Sequence, residues 1–593
     1  DAVTSTPTLP SLSIGNATLA EGALNASGAA STLFTVTLSK ASTSPVTVGY
    51  ATQNGTAIAG QDFTATQGTL TFAAGQTSKT IAVPIINDTS VESTETFKLV
   101  LSNATQATIL NGQGTGTILD NDTVSTTPST GKFNYAEALQ KSFLFYEAQR
   151  SGDLPASNRI EWRGDSALKD GSDVGRDLTG GYYDAGDMVK FNFPMAASLT
   201  MLSWGVREYR GAYAKVGQLD EALNTIRWGT DYLMRCNVTD ANGTKEFWGQ
   251  VGSGHTDHAS WGSPESMTMP RPSFKIDRQK PGSDLAGEAA AALASASIVF
   301  RQTDAAYADK LLTNAMQLYT FADTYRGKYS DAITDVQSFY NSWSGYQDEL
   351  AWGAAWIHEA LEAAGKTDTV YIAKAEAAYT GITANLSWDN KSAGVGVLLA
   401  QDTGNSRYRG DVEKFLNSWL PGGGGVSYTS GGLAWGGEWG SLRTAANMAF
   451  VAGVYGDTVT DPLGKYDAFS RRQIDYILGD NPRNSSYVVG FGNNSPVNPH
   501  HRAASGTDWG GYSGPQPNAH ILYGALVGGP KALNDFAYQD LRTDYIANEV
   551  ATDYNAAFTG AMARMVGKFG GVPLTDSQLD ALPGIAVPTA PAI

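Results

Sequence analysis

Two aspartates in a glycine- and tyrosine-rich stretch have the spacing of residues that activate water. Asp184 and Asp187 lie just before an apolar segment that opens with Pro194, a residue suited to the first turn of a helix. Like charges this close raise each other's pKa unless other groups compensate, which is one way in which a protein makes a general base. Solvated turns and calcium loops have the same composition, so these residues alone leave both interpretations open.

A second carboxyl group is needed if the reaction is hydrolysis of a glycosidic bond with inversion. One carboxylate then activates water on one face of the sugar, and a protonated carboxyl group about 6.5–9.5 Å away protonates the leaving oxygen. Glu549 is a candidate because it lies between Tyr545 and Tyr554, and aromatic surroundings can raise the pKa of a carboxyl group. It also lies at the start of the last predicted helix, where a glutamate often acts only as a capping residue.

Other hydrolytic chemistries fit the sequence less well. His255, Asp257 and His258 in GHTDH would be the ligands of a metal hydrolase, but their spacing matches no zinc-protease motif. No further conventional ligand is evident nearby in the sequence. The chain also contains no GxSxG, the motif that presents a nucleophilic serine in α/β-hydrolases.

Composition limits the partners and the compartment. The formal net charge is −17, whereas nucleic acids and anionic membrane surfaces require a cationic footprint, so neither is expected as a partner. Cys236 is the only cysteine, which excludes an intrachain disulfide and a multi-cysteine zinc site. No apolar run approaches the ~18 residues of a membrane span. The composition, and a start at Asp1 that would fit a removed signal peptide, favour a secreted monomer.

Residues 1–122 are predicted to form an all-β sandwich, because short alternating segments are separated by Gly, Asn, Ser and Thr turns. The predicted strands include 33–38, 46–50, 69–72, 79–86 and 96–101. Acids lie in turns and at strand ends, namely Glu21, Asp62, Asp88, Glu92, Glu95, Asp120 and Asp122. Because Ca²⁺ prefers six to eight oxygens, acids from loops at one end of a sandwich would form a suitable site. A spacer with solvated acids would have the same sequence features.

After a Ser/Thr/Pro linker at 123–131, the hydrophobic period changes from two to about 3.6 residues, which predicts an all-α domain at 132–573. Helices are predicted at 133–150, 194–210, 218–236, 283–301, 305–325, 347–364, 368–385, 407–417, 440–456, 465–478 and 549–569. So many helices do not fit one simple bundle, so we expect a ring of paired helices. The site should lie in the long loops 158–193, 237–282, 386–406, 421–439 and 480–530. A Pro- and Ala-rich tail or linker follows at 574–593.

The first domain resembles a Calx-beta domain over nearly its whole length. The resemblance rests on AEG at 20–22, GQDF at 60–63, the DxxxExxE spacing that begins at Asp88, and the closing ILDND. It implies a seven-stranded sandwich that can bind calcium at one end. Asn87 and Asn121 lie where such domains often have further acids, which favours fewer or weaker ions.

Three motifs of the second domain resemble the hallmark motifs of glycoside hydrolase family 9. They are RIEWRGDSALKDGSDVGRDLTGGYYDAGDMVKFNFPMA (159–196), VGFGNNSPVNPHHRAAS (489–505) and YQDLRTDYIANEVATDYNA (538–556), and the match spans nearly all of 133–570. This family consists of cellulases with an (α/α)6 barrel that invert the anomeric carbon and mostly cut internal β-1,4-glucosidic bonds. The resemblance therefore implies a secreted endo-β-1,4-glucanase acting on cellulose and related glucans.

Roles for individual acids follow from the same resemblance, position by position. Asp187, the second aspartate of YDAGD, is implied as the general base, Asp184 as a residue that helps to hold the attacking water, and Glu549 as the general acid. Asp540 matches the other acid of the third motif. Met188 departs from the family, which often has His or Asn after YDAGD.

Substrate and calcium sites are also implied by the resemblance. The implied substrate-binding residues combine aromatic rings for sugar C–H faces with polar groups for hydroxyls: His258, Trp261, Phe339, Tyr340, Trp343, Trp388, Trp439, Arg443, His500, Arg502 and Tyr554. The implied ligands of a structural Ca²⁺ are all oxygen donors: Ser344, Gly345, Asp348, Glu349 and Asp389. The zinc of some relatives is not expected, because Cys236 has no partner cysteine.

Two alternative functions remain open on these residues. An exo-acting β-glucosaminidase or a cellobiohydrolase-like enzyme would use the same scaffold with one end of its cleft blocked. A non-catalytic glycan-binding protein would bind glucan without releasing reducing ends. The acid and base motifs favour an enzyme.

Overall fold

The chain of this computed structural model divides into two compact units, Asp1–Val124 and Ser125–Ile593. The structure describes residues 9–23, 30–87, 94–121 and 128–588. The first unit is β-rich and the second is helical, which confirms the predicted order of fold classes.

Nine strands are present in the described part of the first unit. They are β1 (Ser11–Ile14), β2 (Ala17–Ala20), β3 (Ser31–Leu38), β4 (Val46–Gln53), β5 (Gln67–Phe72), β6 (Ser78–Pro84), β7 (Glu95–Thr105), β8 (Thr108–Asn111) and β9 (Gln113–Leu119). One sheet has the order β6-β3-β1-β8 and the other the order β2-β9-β7-β4-β5. Alternate side chains are buried in a shared core, in which the rings of Phe63 and Phe97 stack at 4.3 Å.

The strand number differs from the seven that the family resemblance implies, because the first and last strands each divide between the two sheets. The first breaks at Gly15 and Asn16, so that β1 pairs with β3 while β2 pairs with β9. The last breaks at Gly112, so that β8 pairs with β1 and β9 with β7. Breaks at or beside glycine are expected where a strand bends from one sheet into the other.

The second unit is built from helices of very different length. They are α1 (Tyr135–Gln149), α2 (Asn192–Lys215), α3 (Leu219–Cys236), α4 (Gly254–Asp257), α5 (Ser283–Phe300), α6 (Ala305–Thr324), α7 (Tyr329–Ala332), α8 (Gln347–Ala363), α9 (Val370–Ala378), α10 (Ser392–Thr403), α11 (Ser406–Trp419), α12 (Ser441–Thr458), α13 (Lys465–Leu478), α14 (Arg502–Ser505), α15 (Trp509–Tyr512), α16 (Thr552–Phe569) and α17 (Asp576–Asp580). Short 3₁₀ helices lie at Ser172–Val174, Pro264–Ser266 and Thr334–Ser338.

Six long helices of this unit form a closed cycle of contacts. In order, α2, α5, α8, α10, α12 and α16 each pack against the next, and α16 packs against α2. Outside the cycle, the helix that each packs against most extensively is α3, α6, α9, α11, α13 and α1 respectively. Small residues permit the close approach, since a Cβ added to Gly205 on α2 would lie 2.9 Å from Gly560 Cα on α16. The segments directly before α2, α8, α10, α12 and α16 all contribute residues to one cavity, so these five helices begin on the same side of the cycle.

Short strands lie in the loops of the helical unit. They are β10 (Lys190–Phe191), β11 (Asn237–Asp240), β12 (Gly243–Val251), β13 (Ser273–Asp277), β14 (Ser427–Tyr428) and β15 (Ala434–Trp435). The first four form one sheet around β12, and β10 leads directly into α2. This sheet lies largely within 237–282, which the sequence analysis predicts as loop, so that prediction was wrong there.

One predicted loop and two predicted helix boundaries are also corrected. The segment 386–406 contains α10, whose residues from Ser392 to Ala400 are all buried, so that it has no polar face and no helical period to detect. The helix predicted at 368–385 covers only Val370–Ala378. The last long helix begins at Thr552, so Glu549 precedes it and does not cap it.

Helix α5 has the length and composition that a membrane-spanning helix would need. Its 18 residues have a mean hydropathy of 1.2, although 94% of them are buried inside the protein. Seven of its 18 residues are alanines, and it packs between α2, α6 and α8. Its apolar surface is therefore that of a core helix.

Candidate active site

Three loops meet over the starts of the cycle helices, and backbone hydrogen bonds join them. The amide of Arg502 donates to the carbonyl of Gly186 at 3.0 Å, and the amide of Thr552 donates to the carbonyl of Asp184 at 2.9 Å. A Cβ on Gly186 would overlap the carbonyl oxygen of His500, so only glycine permits this approach. The YDAGD, PHHR and NEV segments are therefore held in one fixed arrangement.

A cavity of about 640 Å³ lies above these loops. The three acids implied in catalysis, Asp184, Asp187 and Glu549, line it. All eleven residues implied in substrate binding line it as well: His258, Trp261, Phe339, Tyr340, Trp343, Trp388, Trp439, Arg443, His500, Arg502 and Tyr554. The chain thus brings together residues separated by more than 350 positions in the sequence.

Asp187 lies at the bottom of this cavity among charged neighbours. One of its oxygens, Oδ1, accepts the backbone N–H of Ala185 at 3.3 Å, and Oδ2 lies 3.9 Å from Nε2 of His258. Burial raises the pKa of Asp187 to about 6, and the negative charge of Asp257 acts in the same direction. The positive charge of Arg502 opposes this shift.

Asp184 is more deeply buried and has a different environment. Its Oδ2 accepts a hydrogen bond from the hydroxyl of Tyr340. Burial and the neighbouring Asp187 raise the pKa of Asp184 well above the usual range. Its other oxygen, Oδ1, is buried without a hydrogen-bond partner among the described residues, so it is available to a water molecule.

Glu549 faces the cavity from an aromatic setting. Its Oε2 accepts the indole N–H of Trp439 and the hydroxyl of Tyr554, the latter at 2.5 Å. Burial raises the pKa of Glu549 to about 7, while these two donors favour the carboxylate and limit the rise. A carboxyl group that titrates near neutrality can donate a proton at physiological pH.

Asp257 is a residue of this site that the sequence analysis considered only as a metal ligand. It is 1% exposed, and its Oδ1 accepts from the guanidinium of Arg502 and from the backbone N–H of Met188. Among the described residues, Asp187, Asp257 and His258 are the one set of three metal-binding side chains whose ligand atoms lie within 4.8 Å of one another. His255 is not part of it and packs on Phe339, so the proposed ligand set of a metal hydrolase is not assembled.

His500 and Asp540 contribute in different ways. The Nδ1 of His500 lies 2.7 Å from the carbonyl of Arg542, and burial lowers the pKa of His500 to about 4, so its ring is neutral. Asp540 is outside the cavity wall and accepts the backbone N–H groups of Val497 at 2.8 Å and Asn498 at 3.0 Å. It therefore fixes the loop that leads into PHHR.

Met188, which departs from the family motif, is buried and does not line the large cavity.

Several residues of the cavity wall have no role predicted from the sequence. They are Ala185, Gly186, Phe191, Ser338, Trp509, Tyr512 and Tyr545. Trp509 and Tyr512 lie on α15 in a glycine-rich loop just after PHHR, and that position beside a motif was the signal that could have identified them.

The implied calcium ligands of the helical unit lie close together where α8 begins. Asp389 accepts the backbone N–H groups of Trp343 at 2.9 Å and Ser344 at 3.1 Å, and Asp348 accepts that of Lys391 at 2.7 Å. Glu349 is fully buried, and among the described residues its Oε2 has no hydrogen-bond partner. Burial and Asp348 raise the pKa of Glu349. The ligand atoms of Asp348, Glu349 and Asp389 do not all lie within 4.8 Å of one another, and Nζ of Lys391 lies 3.5 Å from Oε1 of Glu349. The features that fit a hard cation are the buried, unpartnered Oε2 of Glu349 and the oxygen chemistry of the set.

The acids of the β-rich unit are described only in part, since Asp88, Glu92 and Asp122 lie outside the described residues. Glu21, Glu95 and Asp120 lie at one end of the five-stranded sheet, because β2 and β7 both pair there with the end of β9. The fourth described acid is Asp62, whose Oδ2 accepts the backbone N–H of Ile58 at 2.6 Å. The side-chain amide of Asn121 donates to the carbonyl of Glu21 and to Oδ1 of Asn87, so both asparagines take part in this end of the sheet.

Comparisons with known proteins agree with both resemblances. Residues 135–562 match glycosyl hydrolase family 9 and residues 23–122 match the Calx-beta domain. The chain is 54% identical over 457 residues to endoglucanase B of Cellulomonas fimi, a match that covers 74% of this chain and 43% of the relative. It therefore spans less than half the length of that relative.

Solved structures resemble the helical unit. An endoglucanase from the termite Nasutitermes takasagoensis is 47% identical with a TM-score of 0.69, and the match covers 74% of this chain and all of the other. Endoglucanase CelQ from Clostridium thermocellum, solved in complex with cellotetraose, is 40% identical with a TM-score of 0.67, covering 75% of this chain and 72% of the other.

Proposed function

Because its residues 135–562 match the family, the chain belongs to glycosyl hydrolase family 9, and we propose that it is a secreted, inverting endo-β-1,4-glucanase. The observation that carries this proposal is a single cavity that both Asp187 and Glu549 line, with aromatic side chains along its wall. One carboxyl group has charged neighbours and the other has aromatic hydrogen-bond donors, which suits a base and an acid with separate tasks.

In the proposed reaction, Asp187 removes a proton from a water molecule as the water oxygen attacks the anomeric carbon. Glu549 donates its proton to the glycosidic oxygen as the bond between that oxygen and the anomeric carbon breaks. The free Oδ1 of Asp184 accepts a hydrogen bond from the same water and orients it. The product sugar then has the opposite anomeric configuration, and one proton passes from water to Asp187 while another leaves Glu549.

Substrate binding would follow from the chemistry of the cavity wall. Glucosyl rings have flat C–H faces, which pack on Trp261, Trp343 and Trp439, and hydroxyls that need polar partners. Neutral His500 and the cation Arg502 supply such partners near the acids. In support, a related endoglucanase has been solved with cellotetraose bound.

The proposal also includes the type of barrel and the bound metal. The closed cycle of six helices, each with a different principal partner among six outer helices, supports an (α/α)6 barrel. A structural Ca²⁺ would be held by Ser344, Gly345, Asp348, Glu349 and Asp389, where it would neutralise three acids and fix the loop beside Trp343. The acids of the β-rich unit support a further calcium site of lower ligand number.

Product analysis tests the proposal. We expect ¹H NMR of cellohexaose hydrolysis to show α-anomers first, and the viscosity of hydroxyethylcellulose to fall faster than reducing ends appear. Initial β-anomers would overturn inversion. Release of a single short product without early loss of viscosity would favour an exo-acting enzyme. Activity on chitosan oligosaccharides would favour a glucosaminidase. Binding of glucan without release of products would favour a glycan-binding protein.

A further inference from the structure

A second concave surface of about 520 Å³ lies on the helical unit, between the β11–β12 turn, α6 and α9. We refer to it as the outer groove. It shares no lining residue with the active-site cavity. None of its eleven lining residues is charged, although the chain contains 99 acidic and basic residues. An ionic ligand would find no counter-charge in its wall.

The groove nevertheless has polar groups available for a ligand. The side-chain amides of Asn242 and Gln317 and the hydroxyls of Tyr325 and Tyr371 make no hydrogen bond within the described part of the chain. Donors and acceptors without a net charge match the hydroxyls of a neutral sugar polymer.

Aromatic rings supply the other requirement of sugar binding. The ring of Tyr325 packs on Phe321 with centroids 5.4 Å apart, and the ring of Tyr371 packs on Tyr319 at 5.5 Å. Both residues are half-buried, so each ring is held by its neighbour and stays partly exposed. Rigid aromatic surfaces bind ligands with little loss of conformational entropy.

Charged residues at the rim are engaged in ion pairs with one another. Arg278 approaches the ring of Tyr325 but forms two hydrogen bonds with Asp240, at 2.8 and 2.9 Å. On the other side Lys374 and Arg326 share Asp323, which leaves one net positive charge there. The wall of the groove itself is uncharged, and these neighbouring charges are held by their ion-pair partners.

We propose that the outer groove is a secondary binding site for a β-1,4-glucan chain, separate from the site of hydrolysis. This inference rests on the proposed function, because it takes its ligand from the polymer that the cavity would cut. Binding there would keep the enzyme on polymeric substrate between cuts, and it would not affect an oligosaccharide short enough to occupy the cavity alone.

Binding is tested in the inactive background Glu549→Gln by native electrophoresis in gels that contain hydroxyethylcellulose, a neutral glucan. We expect the double substitution Tyr325→Ala and Tyr371→Ala to weaken retardation about fivefold, the effect of losing two ring contacts. Retardation equal to that of Glu549→Gln alone would overturn the proposal.

A charge placed in the groove gives a second test that leaves both rings in place. Thr320 is exposed on α6 and lines the groove, whereas Ala377 is exposed on α9 and does not. In the active protein, Thr320→Glu should lower the ratio of the rate on hydroxyethylcellulose to the rate on cellohexaose about threefold, and Ala377→Glu should not. The inference would be refuted if Thr320→Glu and Ala377→Glu had the same ratio of rates. It would also be refuted if the groove bound a protein but did not bind hydroxyethylcellulose. Absence of cellohexaose hydrolysis in the unmodified protein would instead refute the proposed function.

Discussion

The two walls of the active-site cavity hold their carboxyl groups by different means. Asp187 has charged neighbours, since Asp257, His258 and Arg502 all act on it electrostatically. Glu549 has no ion-pair partner among the described residues within hydrogen-bonding distance, and its neighbours are the indole of Trp439 and the phenol of Tyr554. Burial raises both pKa values. The largest adjustments to this shift come from charged groups at Asp187, and from two neutral hydrogen-bond donors at Glu549, where the charges of Asp553 and Arg443 act more weakly.

This difference separates the two roles. Within the ionic network around Asp187, the cation of Arg502 stabilises the charge of a base that must be ionised at the start of the reaction, while Asp257 keeps its pKa from falling too low for proton uptake. Neutral donors around Glu549 can hold a carboxyl group in place whether or not it carries its proton, which suits a group that gives its proton away. The proposed base and acid therefore follow from their surroundings as well as from the motifs.

The largest expected difference between the two walls concerns the leaving group. Glu549→Gln should lower kcat on cellohexaose about 10³-fold, but much less on an aryl cellobioside whose phenolate leaves without protonation. Asp187→Asn should lower both rates by about 10³-fold or more, because the water must be activated in either case. Steady-state kinetics with the two substrates measures the contrast.

Circular dichroism and thermal melts of both variants serve as the folding control. If Asp187→Asn retained near-normal rates, or if Glu549→Gln lost as much activity on the aryl substrate as on cellohexaose, the two assignments would fail.

The same contrast explains how much of the site the sequence could predict. Motifs predict that Asp187 and Glu549 belong to one site, and both line the same cavity, because their local sequence patterns are long and specific. Asp257 differs, since its partner Arg502 lies 245 residues away and only folding reveals that the two pair. Trp509 and Tyr512 have no periodic signal, because they lie in a glycine-rich loop.

The prediction of helices from the sequence is limited in a similar way. Helix α13 was predicted at its observed ends, because its apolar residues lie on one face and its polar residues on the other. Helix α10 was missed because its residues from Ser392 to Ala400 are all buried and mostly apolar, which leaves no amphipathic period. Helix α5 is equally buried but was predicted at 283–301 from its alanine-rich run, so composition can identify a helix that has no solvent-facing side.

The pH profile of kcat/KM should have an acid limb set by Asp187 and an alkaline limb set by Glu549. The base must be ionised, so activity should rise as pH increases through the pKa of Asp187, about 6. The acid must be protonated, so activity should fall as pH increases through the pKa of Glu549, about 7. One pH unit beyond either limb, the rate should be about tenfold lower. A flat profile between pH 5 and 8 would contradict both assignments.

Removing one neutral donor should move only the alkaline limb. The hydroxyl of Tyr554 stabilises the carboxylate of Glu549, so Tyr554→Phe should raise the pKa of Glu549 and shift that limb to higher pH. Tyr545→Phe is the matched control, because Tyr545 lines the same cavity and packs on Trp439 without a hydrogen bond to Glu549. A shift of the acid limb, or equal shifts in the two variants, would show that the donor does not act on Glu549.

Removing one charge should move only the acid limb, and in the opposite direction. The negative charge of Asp257 raises the pKa of Asp187, so Asp257→Asn should lower that pKa and extend activity to lower pH. The cation of Arg502 would lose its partner and would lower the pKa further. Profiles of kcat/KM against pH measure the shift, and an acid limb that stays in place or moves to higher pH would disprove the electrostatic role of Asp257.

The smallest effect on either wall is expected from the proposed calcium site, because its ligands do not line the active-site cavity. Chelation should lower the melting temperature by about 5 °C. Removing a ligand whose free concentration is about a hundred times its Kd lowers the free energy of unfolding by about 2.7 kcal/mol. Both limbs of the pH profile should stay in place. Asp348→Asn keeps the acceptor for Lys391 but removes one charge, so its melting temperature should respond less to EDTA than that of the unmodified protein. If the melting temperature did not change with EDTA, the site would not hold calcium; if the limbs moved, the metal would act on catalysis as well as on stability.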